Sequence, residues 1–265
     1  MPETNRLSVI TATIFLAYAL IPFVDLPSQN ISLQLPGFLF QLEINFGTIV
    51  SILVAILAAA GTDWLIQGHP TAAGAARLPN WLLPALTAWV IGVPLTTLEV
   101  SAQWWAVFAL GGLLFVLVLL SEYIVVDPDD DRFAPASVGL IAVSFALYLV
   151  LMIAIKGASV RLYAVLFAVS PTVFLIALRT LYLRCGGRWL YGWAFGITLV
   201  IGQAAVGLHY LPLSPLRFGL FLVGLTYALI SLASGIEDPN ERKNIWIEPA
   251  IMLVILWGIA VLMRA

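Results

Sequence analysis

The chain has 265 residues, of which 62% are hydrophobic and 10% charged, with a formal net charge of -2. Soluble domains carry roughly a quarter charged residues to cover their surface, so lipid rather than water must surround most of this polypeptide. The slightly negative balance argues against a nucleic-acid partner, and a single cysteine, Cys185, excludes an internal disulfide framework and a cysteine-based zinc cluster.

Apolar runs near the ~20 residues needed to cross a bilayer recur along the whole length. They fall at Leu7 to Val24, Phe46 to Ile66, Trp81 to Leu98, Trp104 to Val126, Ala136 to Ile155, Leu162 to Leu183, Trp189 to Tyr210, Leu216 to Ile236 and Ile245 to Met263, nine in all. In lipid each backbone polar group must bond within its own segment, so these spans are expected to be helices. The fold expected is an all-α polytopic transmembrane bundle. "AYA" at Ala17 to Ala19 imitates a signal-peptidase site after an apolar core, yet the preceding segment carries only Arg6 as positive charge. The first span is therefore read as a retained helix.

Between the first two spans, "ISLQLPGFLFQLEIN" alternates apolar and polar residues on both sides of Pro36-Gly37. That alternation reads as strand, turn, strand, and places a small β-hairpin-like insert at 26–45. An isolated hairpin is marginal in water, so the insert needs a surface: the headgroup layer, the external mouth of the bundle, or another membrane subunit.

Counting Lys and Arg on alternate sides sets the orientation. Arg6, Arg77, Arg132, Arg179, Arg184, Arg188, Arg242 and Lys243 share one side, and Lys156, Arg161, Arg217 and Arg264 the other. A cytoplasmic N-terminus and, after nine crossings, an external C-terminus follow, in a bacterial-type inner membrane.

"VDPDDDR" from Val126 has an echo in "EDPNERK" from Glu237, with Asp238 lying 111 residues after Asp127. "VIG" recurs at Val90 and Val200, and "PA" reopens the next helix at Pro135 and Pro249. Matches in the same order point to a duplicated four-helix repeat: 1–134 with its insert, then 135–244, then a ninth helix at 245–265. Four is even, so both repeats would point the same way, as in parallel-repeat transporters.

Asp-Pro stops a helix, and neighbouring carboxylates force the chain into water. The sharper reading of these loops is a cation site in which Asp127, Asp129, Asp131 and Asp238 supply oxygens to calcium or magnesium. The EF-hand pattern is absent, because Arg132 and Val138 stand where it needs Gly and an acid. Ionisable residues close to helices are the other candidates, because lipid makes them costly. Asp63, Glu122 and Glu248, with Arg179 opposite, outline a cytoplasmic vestibule for a substrate. His69 and His209 fall on opposite sides and cannot share a metal, and the sequence points to no particular cofactor. Pro94 and Pro171 lie inside spans, where a missing N–H frees a carbonyl.

Three functions fit: a carrier or binder of a small molecule or lipid at the interface of the two repeats, a non-catalytic subunit of a larger membrane complex docking through the 26–45 loop, or a divalent-metal enzyme acting on lipid head groups. No serine-hydrolase, zinc-protease or phosphate-loop pattern is present to favour an enzyme.

Overall fold

The computed structural model describes residues 3–24, 29–35, 38–44, 46–70, 78–158, 160–237 and 245–263. Among them are nine α-helices: α1 (Thr4–Leu20), α2 (Phe46–Gln67), α3 (Leu78–Thr97), α4 (Ala102–Val125), α5 (Phe133–Gly157), α6 (Leu162–Arg184), α7 (Tyr191–His209), α8 (Pro215–Glu237) and α9 (Ile247–Leu262). Each apolar span of the sequence is thus a helix. By length and composition seven of them can cross a membrane; α3 is not in that set, and α9, with 16 residues, is shorter. After α1 comes a short 3-10 turn, and then β1 (Gln29–Leu35) pairs antiparallel with β2 (Phe38–Ile44), Leu33 opposite Phe40 and Ile31 opposite Leu42. The turn residues Pro36 and Gly37 lie outside the described residues.

Helix starts follow proline chemistry. Pro215 opens α8, and Pro135 and Pro249 stand in the first turns of α5 and α9, where a helix has no use for their missing N–H. Helix ends need partners for their last carbonyls. At the end of α6, Gly186 and Gly187 take positive φ of 62° and 81°, a conformation only glycine adopts at low cost. The Gly187 N–H then reaches the Tyr182 carbonyl at 2.9 Å. At the end of α3 the indole N–H of Trp104, itself buried, donates to the Leu95 carbonyl at 3.1 Å.

The chain divides into two compact units, Met1–Ala136 and Ser137–Ala265. In the first, the core is built from residues about four apart on each helix: Ile10, Ile14 and Tyr18 of α1, and Val50, Val54 and Ala58 of α2. Against these lie Ala88, Ile91 and Leu95 of α3, with Phe115, Leu119 and Tyr123 of α4. The other face of α2 shows Ile49, Ile52, Leu53, Ile56 and Leu57, all exposed. Water would not tolerate such a stripe, whereas hydrocarbon favours it. Three buried hydroxyls are satisfied inside their own helices: Thr62, Thr87 and Thr226 donate to the carbonyl four residues back at 2.7 Å, which keeps these polar groups away from lipid.

Small residues let backbones approach. A Cβ on Gly92 would stand 2.5 Å from Ser51 Oγ, and one on Gly61 would stand 2.8 Å from Ile10 Cγ2. In the second unit, α6 packs on α7 and α8, α7 on α8, and α8 on α9. A Cβ on Gly219 of α8 would meet Leu149 Cδ1 of α5 at 2.8 Å, and Tyr148 of α5 lies against Thr226 of α8.

Candidate functional site

The residues expected to bind substrate fall in both units. Asp63, half-buried on α2, accepts from the Gln67 amide at 2.7 Å, and Glu122 of α4 is fully buried. Arg179 of α6 is 1% exposed, with its guanidinium 5.7 Å from the Tyr182 ring centre. Glu248, in the first turn of α9, receives the Tyr227 hydroxyl at 2.6 Å and Arg184 at 3.3 Å. The described cation of Glu248 is therefore Arg184, a residue the sequence reading passed over. A second tie at this end joins Glu237 to Arg188 and to the Trp193 indole, each at 3.0 Å.

In the acidic loop two carboxylates have local partners. Asp127 turns one oxygen back to accept its own chain at Asp129 N, 3.1 Å away. Asp130, between the named residues, takes Arg132 at 2.8 Å. That guanidinium holds the Asp130 carboxyl down at about 2. Asp131 is exposed. Asp238 lies outside the described residues. Among the described residues no three His, Cys, Asp or Glu side chains are grouped to hold a metal ion.

His69, just past α2, meets the Tyr123 ring edge-on at 4.5 Å. Burial pushes its imidazole below the ordinary histidine range, and the charge of Asp127 offsets part of that.

A half-open cavity lies at the opposite end of the second unit, where α5 and α7 finish and α6 and α8 begin. It measures about 230 Å³ and is lined by Ile155, Lys156, Val160, Val165, His209 and Phe218. Val165 and Phe218 are buried, so the floor is apolar. Lys156 does not run out to water: its ammonium donates to the His209 carbonyl at 2.9 Å and sits 5.3 Å from the Phe218 ring centre. One of its three N–H groups is thereby used. His209 contributes an imidazole whose buried Nδ1 makes no hydrogen bond among the described residues. Concave spaces that set a few convergent polar groups beside apolar side chains are where ligands usually bind, and here Lys156 and His209 stand beside Val165 and Phe218.

Sequence reasoning missed this place because it weighed Lys156 as a topology marker and His209 as an interfacial residue. One signal was available: the two connections that meet here carry Lys156, Arg161 and Arg217 and not one Asp or Glu.

Neither a curated protein nor a solved structure matches the chain. A family sequence model does match residues 26–263, from just before the hairpin to the end of α9, and the chain belongs to that family, DUF5656, described as proteins of unknown function.

Proposed function

We propose that this multi-pass membrane protein is a binder or carrier of a small amphiphile, and that the ligand occupies the cavity at the α5–α8 end of the second unit. The observation that carries this reading is the cavity of about 230 Å³ that brings Lys156 and His209 together over apolar walls. The site is placed inside one unit, rather than between two repeats as the sequence alone implied, because every lining residue comes from Ser137–Ala265.

A duplicated architecture is part of the proposal. It is supported by the order of neighbours: α2 packs on α3 and α3 on α4 in the first unit, and four helices later α6 packs on α7 and α7 on α8. The α1 with α4 contact has its counterpart in Gly219 of α8 against Leu149 of α5. With α3 and α9 counted as crossings, the excess of Lys and Arg supports an N-terminus in the cytoplasm of a bacterial-type cell and, with it, a cavity at the external end.

Native mass spectrometry of the whole protein, extracted from membranes in a mild maltoside detergent, tests the reading. A small amphiphile should co-purify in stoichiometric amount, and Val160→Trp, which fills the cavity from the α5–α6 connection rather than from the core, should abolish its retention. Equal retention by the variant would overturn the placement.

A further inference from the structure

The chemistry of the cavity selects among amphiphiles. We infer that it is an anion-selective site for a single-chain amphiphile, with the Lys156 ammonium on the charged group and the apolar wall on the first carbons of the chain. This rests on the reading of the cavity as a ligand site given above.

Three observations point to an anion. First, Lys156 has one described acceptor, the His209 carbonyl at 2.9 Å, leaving donors for a ligand oxygen. Second, Arg161 is the residue that precedes the first turn of α6, and Arg217 lies in the first turn of α8. Helix N-termini carry positive partial charge and favour anions, so cations there gain nothing from the fold itself. With Lys156 they give this end three basic residues, and the connections between Ile155 and Val165 and between His209 and Phe218 contain no Asp or Glu. Third, in the orientation proposed these cations sit on the external side, where Lys and Arg are normally scarce. The matching connections of the first unit carry Asp25, Glu43 and Glu99 and no Lys or Arg.

Size and polarity restrict the rest of the ligand. At about 230 Å³ the space is below the ~300 to 1,000 Å³ of sites that enclose a whole drug-sized molecule. It holds a head group and the beginning of a chain. Ile155, Val160, Val165 and Phe218 offer no hydrogen bonds from their side chains, so a polar group set against them would lack a side-chain partner. A free inorganic anion would in turn leave the apolar wall unused.

The probes are octyl phosphate, octyl glucoside, octyltrimethylammonium and inorganic phosphate, titrated against the full chain in maltoside detergent and read by native mass spectrometry. Octyl phosphate should bind at least about tenfold more tightly than the other three, a difference of the size that one charge-assisted hydrogen bond supplies. Lys156→Met should bring octyl phosphate down to the level of octyl glucoside, while Lys156→Arg, which keeps the charge, should retain most of the difference. Equal binding of octyl phosphate and octyl glucoside, both lost in Val160→Trp, would overturn anion selectivity and leave the ligand site standing. Inorganic phosphate binding as tightly as octyl phosphate would overturn the amphiphile. No binding by any of the four probes would overturn the site itself.

Discussion

Replacing Gly92 by alanine tests the packing of the first unit at a close contact between α2 and α3. The added methyl would lie 2.5 Å from Ser51 Oγ, 3.1 Å from Ser51 Cβ and 3.3 Å from Tyr18 Cε1. Comfortable separations are about 3.5 to 4.0 Å. Rotating Ser51 removes the first clash but breaks its hydrogen bond to the Gly47 carbonyl, 2.8 Å long, worth about 1 kcal/mol. The second clash involves an atom fixed to the α2 backbone, so α2 and α3 must move apart. Overpacking of this kind costs about 1 to 3 kcal/mol, against which alanine returns up to about 1 kcal/mol of helix propensity. The net expectation is a loss of about 1 to 3 kcal/mol, most of the overpacking being felt. Reversible unfolding in mixed dodecyl sulfate and maltoside micelles gives the number. Gly139→Ala is the control, since nothing lies within 4 Å of its Cβ position. Ser51→Ala added to Gly92→Ala should restore part of the loss, the 3.1 Å contact remaining. A Gly92→Ala midpoint equal to that of Gly139→Ala would refute the close approach.

Three further outcomes are expected. Arg184→Gln and Glu248→Gln should each lower stability by no more than about 1 kcal/mol, because the pair is partly exposed; the double variant should lose less than the sum of the two, and strict additivity in the same unfolding assay would deny the coupling. His69 has its imidazole lowered by burial, so the unfolded chain takes up its proton first and stability falls as pH drops below about 6.5. His69→Gln should flatten the apparent Tm between pH 7 and pH 5, and an unchanged pH profile would contradict the burial effect. In a Cys185→Ser background, a cysteine at Asp129 should react with an impermeant maleimide only from the cytoplasmic side and one at Val160 only from the external side. Labelling of both from one side would contradict the crossing by α5, and the opposite pattern would reverse the orientation.

The helices were legible because each is an almost unbroken apolar run, and lipid leaves the backbone no alternative to internal hydrogen bonds. The starts were less so. Reading Pro135 as a boundary put the fifth helix at Ala136, but α5 begins at Phe133, with the proline inside a first turn that tolerates it. At the site the limits were long-range. Arg179 and Arg184 stand five positions apart on α6 and so face different ways. The sequence favoured Arg179, which is fully buried, whereas the half-buried Arg184 reaches Glu248 across 64 residues. Lys156 and His209, 53 residues apart, meet only because α5 and α7 end at the same level of one unit. No periodicity carries that information. In the acidic loop Asp127 accepts from its own chain two residues on, the habit of an Asx turn, a local contact that the alternate spacing of the acids did not announce.

The most direct test of ligand binding at this place is photo-crosslinking in the native membrane with a diazirine placed near the head of a single-chain anionic amphiphile, followed by peptide mapping. Labels concentrated on the peptides around Lys156 to Val165 and His209 to Phe218, and displaced by excess octyl phosphate, are the predicted result. Labels spread over the lipid-facing stripe of Ile49, Ile52 and Ile56, with no preference for the α5–α8 end, would contradict it.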